Sequence, residues 1–225
     1  MSYLIFVLKN ARFLSFGILL TLFGNFGQTY YISLFSVPIR EAYGLSHGDF
    51  GMLYSAATFT SAACLVWAGR KIDDTDLRLY VLIVCSLFAA ACFLISSVTI
   101  SIYMLALGVF LLRMTGQGLM GHTAMTSMAR TFNKNRGKAM SVASVGHSLG
   151  SAFMPSVAVA LLAAFGWRDT WQFIGWTIII VLIPGALFLL RGDASRYRPQ
   201  AKIKKSPQGD AKPSMKQWTR SEVLR

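Results

Sequence analysis

Six long stretches of the chain are nearly free of charge, at about 13–36, 50–68, 79–97, 101–128, 139–165 and 171–190, with short polar segments between them. Each is close to the ~20 residues an α-helix needs to cross roughly 30 Å of hydrocarbon. The runs are continuous rather than alternating, which points to helices and not to barrel strands. In lipid a helix satisfies its own backbone, whereas an open sheet does not. The pattern predicts an all-α membrane protein: a six-helix transmembrane bundle over residues 1–190 and a tail over 191–225. The first run is too long for a cleavable signal and has no small-residue cleavage site before further spans follow.

Composition supports the same reading. The 225 residues are 54% hydrophobic and 14% charged, against the ~25% charged residues that coat a soluble domain. The net charge of +13 raises nucleic acid as a partner, but the basic residues do not cover a folded face with interleaved aromatics. They lie at Lys9 and Arg12, at Arg70, Lys71 and Arg78, at Arg130, Lys134, Arg136 and Lys138, and ten times after residue 190. With six spans, all of these fall on one side, leaving only Arg40 and Arg168 opposite and Arg113 within a span. The imbalance predicts a multi-pass protein of the plasma membrane with both termini cytoplasmic. The partners it implies are the lipid bilayer and a small-molecule solute, not nucleic acid.

The tail is rich in Lys, Arg, Pro, Gly, Ser and Gln, a composition that predicts disorder near the anionic inner leaflet. It ends in a short amphipathic stretch around Trp218 that resembles the lead-in to a further helix. Cys64, Cys85 and Cys92 all fall in apolar runs, without the paired spacing of a zinc site or a disulfide framework. No metal or cofactor is expected.

Polar residues inside the spans carry the candidate chemistry. Arg113 falls about twelve residues into the fourth run, near the midplane, where an arginine costs at least ~2.5 kcal/mol and must face protein or water. It either ties helices together or serves a substrate or coupling-ion path, and Gln117 shares its face. In the first run Thr21, Asn25, Gln28, Thr29, Ser33 and Ser36 recur at helical steps, flanked by Tyr30 and Tyr31. This stripe predicts the wall of a wetted cavity; the alternative is plain interhelical hydrogen bonding. The fifth run contributes His147 and Ser148 among serines, with Gly146 and Gly150 as a close-packing pair, and Pro155 is expected to break its ladder. His147 is either a proton relay or a simple hydrogen-bonding residue.

Two G-x-S-x-G matches, around Ser46 and Ser148, raise an intramembrane serine hydrolase as an alternative. The motif needs a strand-to-helix turn. The second copy lies inside a helical run, and the first reads as a capping box of Ser46 and Asp49. A non-transporting scaffold or small channel is the other alternative.

These features arrive in the order of a known family. Gly69-Arg-Lys-Ile-Asp73-Asp-Thr-Asp-Leu-Arg78 resembles the signature loop of the major facilitator superfamily at Gly69, Asp73 and Arg78, while Asp74 and Asp76 depart from it. Arg113-Met-Thr-Gly116-Gln117-Gly118-Leu-Met-Gly121 is similar to its fourth-span motif, and Gly146 to Pro155 to its fifth. Arg130 to Lys138 and Gly166-Trp167-Arg168 resemble oxalate/formate antiporters and monocarboxylate transporters. The resemblance implies two inverted three-helix repeats, half of a twelve-helix fold, with spans one and four lining a midplane cavity between two rocking halves. It implies that Asp73 gates against a helix of the second half with Arg78 in support. It further implies that this chain, as a truncated or half-length member, needs a C-terminal half, missing or separate, or a second copy, to transport.

Overall fold

The computed structural model describes residues 3–97 and 101–192, and every regular element among them is helical. The tail expected from 191, with Trp218, lies outside the described residues apart from Arg191 and Gly192.

The chain opens with α1 (Tyr3–Lys9), a short helix in the segment before the first apolar run, where no helix was expected. It meets the rod that follows at 85°. Phe6 is buried and packs edge-on to Phe132, with ring centroids 5.2 Å apart. Leu4, Ile5 and Leu8 on its other faces are exposed.

The first span is broken. α2 (Ala11–Phe23) gives way to a 3-10 turn at Gly24–Gly27. Gln28 is then extended (φ −75°, ψ 151°), and α3 (Thr29–Ser33) and α4 (Ser36–Tyr43) complete the span. Gly44, at φ 64°, ends α4 in the left-handed conformation that glycine adopts without penalty. The second span is α5 (His47–Arg70), the third α6 (Leu77–Ser96). Ser46 and Asp49 form the expected reciprocal capping box at the start of α5. Asp76 caps α6 by accepting from the Arg78 and Leu79 amides. The fourth span runs through α7 (Ile102–Leu112), a π-helical stretch at Arg113–Met120 and α8 (Gly121–Thr131).

Among the described residues four helices are long and apolar enough to cross a membrane, and the bent N-terminal rod makes a fifth if counted as one span. One of the four covers 57 residues, Asn133–Leu189. Unbroken, it would extend about 85 Å at 1.5 Å per residue, far beyond a hydrocarbon core. Within it, α9 (Arg136–Thr177) is interrupted at Gly166 (φ 75°, ψ 174°), which divides the rod into the fifth and sixth spans. A π-turn at Ile178–Leu182 and α10 (Ile183–Leu189) finish the sixth. Pro155 does not interrupt α9, contrary to expectation: only one ladder donor is lost there, a defect that packed membrane helices tolerate.

Close packing of the first and fifth spans forms the centre of the bundle. A Cβ on Gly17 would lie 2.8 Å from that of Ala143, and one on Gly146 would collide with the Ile18 carbonyl. Without a hydrophobic force between helices in lipid, such small-residue contacts are what hold spans together. At the far end Trp171 is fully buried against Tyr31 and Phe35. α5 is the peripheral span: 17% of its apolar window is buried, against 56% for α6.

Candidate functional site

The break in the first span and the π-helical stretch of the fourth meet face to face. A Cβ on Gly27 would stand 2.5 Å from the Leu112 carbonyl and 2.7 Å from the Gly116 Cα, so only hydrogen fits there. Backbone contact at this crossing sets Arg113 beside the start of α3. Its Nη1 donates to the Thr29 hydroxyl at 2.9 Å and to the Gly27 carbonyl at 3.4 Å. Its guanidinium lies 5.3 Å from the centroid of the Tyr54 ring on α5, and the Tyr54 hydroxyl donates to Thr29 at 3.1 Å. Arg113 is 7% exposed, and its Nε is buried without a hydrogen-bond partner. The charge therefore rests on a carbonyl, a hydroxyl and an aromatic face. None of the six apolar runs contains an Asp or Glu.

Below this crossing, Gln28, Gln117, Ser144 and His147 line a cavity of about 170 Å³ with Thr21 and four neighbours. Above it, Thr29, Ser33, Ser36, Tyr54 and Ser55 line a second depression of about 230 Å³. Thr29, Gln117, His147, Ser148 and Ser151 are exposed on the unit although the spans around them are apolar. Ser148 sits within the helical run of α9, where a nucleophile elbow has no room to form.

The first-span stripe does not form one continuous face. Extended backbone at Gln28 turns the chain, so Thr21 and Asn25 serve the fifth span while Thr29 serves Arg113. The Thr21 hydroxyl donates to the Ala143 carbonyl at 2.6 Å. Asn25 is fully buried: its Oδ1 accepts from Tyr30 at 2.6 Å and from Ser151 at 3.2 Å, and its amide donates back to the Thr21 and Leu22 carbonyls. The absence of a side chain at Gly150 makes room for that amide. Tyr31, expected beside the stripe, is turned the other way into the aromatic core at 0% exposure.

The signature loop is tied within the unit itself. Asp73 pairs with Arg130 at the end of α8, a partner within the chain that the resemblance did not supply. His122 Nε2 meets the Gly69 carbonyl at 3.2 Å, against the face where that glycine has no Cβ. Arg78 does not support Asp73. Its Nη2 donates to the Leu190 carbonyl at 3.0 Å, at the end of the last helix, where Arg12 also donates to the Phe188 carbonyl at 2.5 Å.

Sequence reasoning missed three of these participants or their pairing. Tyr54 carried a weak signal, as a polar atom in an otherwise apolar run, whereas Ser151 was already among the fifth-run serines. His122 lies five residues beyond Gln117, one helical turn off the face that was followed. Arg130 was read as loop charge and as part of a family-like segment, but not as a partner of Asp73, because nothing local pairs it with a residue 57 positions away.

The sequence model of the Major Facilitator Superfamily matches residues 14–224. Among curated proteins, the chain is similar to a probable sulfoacetate transporter of Cupriavidus necator, 28% identical over 158 residues. That alignment covers 66% of this chain and 35% of the relative, so the chain spans about a third of that protein's length. No solved structure matches.

Proposed function

We propose, from the premise that this chain belongs to the Major Facilitator Superfamily, that it is one half of a secondary transporter for a small organic anion. The observation that carries the substrate class is Arg113. It is a buried cation held by neutral groups only, in a unit whose apolar runs contain no carboxylate. A charge in that position costs several kcal/mol unless it is compensated. A carboxylate or sulfonate entering from the cavity compensates it, and a guanidinium's planar fork suits either group. The probable sulfoacetate transporter to which the chain is similar is named for a substrate of this class.

The polar wall formed by Thr29, Gln117, His147 and Ser151 faces outward from the unit. In lipid such a wall needs a polar or aqueous counterpart. A second six-helix unit, continuous with this chain, separate from it or a second copy, supplies the opposite wall, and the two alternate access by rocking. The basic loops and tail set the orientation, with both termini in the cytoplasm. Gln28, Gln117 and His147 contact solute, while Asp73 with Arg130 and Gly69 with His122 hold the cytoplasmic ends of the second and fourth spans together.

Uptake of labelled short carboxylates and sulfonates into proteoliposomes, with and without a complementing C-terminal six-helix half, tests the reading. Anion uptake that requires the complement and disappears in Arg113→Gln is expected. Full activity from a monomer of this chain, or uptake of neutral solutes unaffected by Arg113→Gln, overturns it.

A further inference from the structure

An apolar groove of about 450 Å³ opens between the second, third and fourth spans, away from the Arg113 crossing. Ile83 and Leu87 of α6 and Met114 of the fourth span form its floor, and Trp67 stands at its rim, 69% exposed. At the basic end the groove finishes at Lys71 and Thr75, with the Lys71 ammonium 5.1 Å from the centroid of the Trp67 ring. We infer that this groove is a phospholipid site, with an acyl chain along Leu87 and Ile83 and the lipid phosphate on Lys71 and the Thr75 hydroxyl.

Three features select that occupant. The walls are apolar and no polar atom needs satisfying along their length, which suits a hydrocarbon chain and not a solute. The cation stands at one end only, and it is the end where the positive charges of the chain gather, at the level of headgroups. Finally, two of the three acids of the same loop are committed elsewhere: Asp73 is paired with Arg130 and Asp76 caps α6, while Asp74 is exposed. Lys71 is the cation that lines the groove, held over an indole that favours the interface. Hydrocarbon gains little by leaving bulk lipid for an apolar groove, so selectivity rests on the phosphate contact. The inference is independent of which solute is carried.

Cys64 lies in the groove, whereas Cys85 and Cys92 are buried, so a native thiol reports on occupancy. In delipidated detergent, N-ethylmaleimide alkylates Cys64. Adding phosphatidylglycerol or phosphatidylethanolamine slows that reaction about fivefold, as expected of one lysine–headgroup contact. Diacylglycerol, which has the chains without the phosphate, protects less, and Lys71→Gln removes the difference between them. Leu87→Trp fills the groove and slows alkylation with no lipid added. Equal protection by diacylglycerol and phospholipid in the wild type overturns the inference. So does a Cys64 that stays protected after complete delipidation in the presence of the complementing half, because then protein covers the groove.

Discussion

The basic end of the bundle and its middle treat charge in opposite ways. At the basic end, the side chains that tie elements together meet charge or dipole complements. Asp73 has Arg130, and Arg12 and Arg78 cap the carbonyl end of the last helix, where the helix dipole is negative. In the middle, Arg113 is more deeply buried and has only neutral partners. The first region uses its charges to hold helices in place, whereas the second leaves one buried with neutral partners only. Under the proposed function that cation is retained for binding, since packing is served at lower cost by an apolar side chain.

The sharpest way to break the comparison is at the backbone crossing on which the middle depends. Gly27→Val places two methyl groups where a single Cβ already meets the Leu112 carbonyl. Loss of more than about 3 kcal/mol, read as disappearance of the monodisperse peak in fluorescence-detected size exclusion, is expected. An intact peak would mean that the crossing is looser than described.

Arg113 sharpens the contrast by sign. Arg113→Met removes an uncompensated charge and is expected to raise stability in detergent by about 1–3 kcal/mol while abolishing anion binding. Asp73→Asn, at the basic end, is expected to do the reverse. Because the pair is roughly one-third exposed, its loss costs about 1 kcal/mol or less, measured as a coupling energy in a double-mutant cycle with Arg130→Gln. If both substitutions shift the melting temperature in the same direction, the two regions do not differ as claimed.

The smallest effect lies outside both regions, at the head of α5. Ser46 holds the Asp49 carboxyl below its usual range by hydroxyl and backbone hydrogen bonds. A carboxylate with a depressed folded-state pKa contributes stability above the ordinary carboxylate value, and that contribution is lost as pH falls through the folded value. Ser46→Ala is expected to cost about 1 kcal/mol at neutral pH. It should also flatten the loss of stability below the ordinary carboxylate value of 3.8, seen in melts across an acid series.

Much of the scaffold was legible because hydropathy is a local property in lipid. Six apolar runs, a Gly-Arg-Lys loop and an Arg-x-x-Gly segment each announce themselves over about twenty residues or fewer. The site was legible in part. Arg113, Gln28, Gln117 and His147 could be picked out because polar atoms in an apolar run are conspicuous. Tyr31 could not be sorted from Tyr30, since which of two adjacent tyrosines faces inward depends on a backbone turn at Gln28 that hydropathy does not register. Pro155 and Gly166 show the same limit: the expected helix breaker lies in unbroken helix, and the actual break falls at a glycine with φ 75°.

What the amino-acid sequence determined by itself was the class of molecule: an all-helical membrane unit whose basic residues fall almost entirely between and after its apolar runs. Insertion and helix formation depend on the free energy of short segments against lipid, and that is a sum over neighbours in the chain. What only the tertiary structure decided was pairing. Asp73 with Arg130, Gly69 with His122, Asn25 with Ser151 and Arg113 with Thr29 and Tyr54 join residues between 53 and 126 positions apart. Such contacts follow from how closely two helices approach, and that distance is set by the glycines at their crossing.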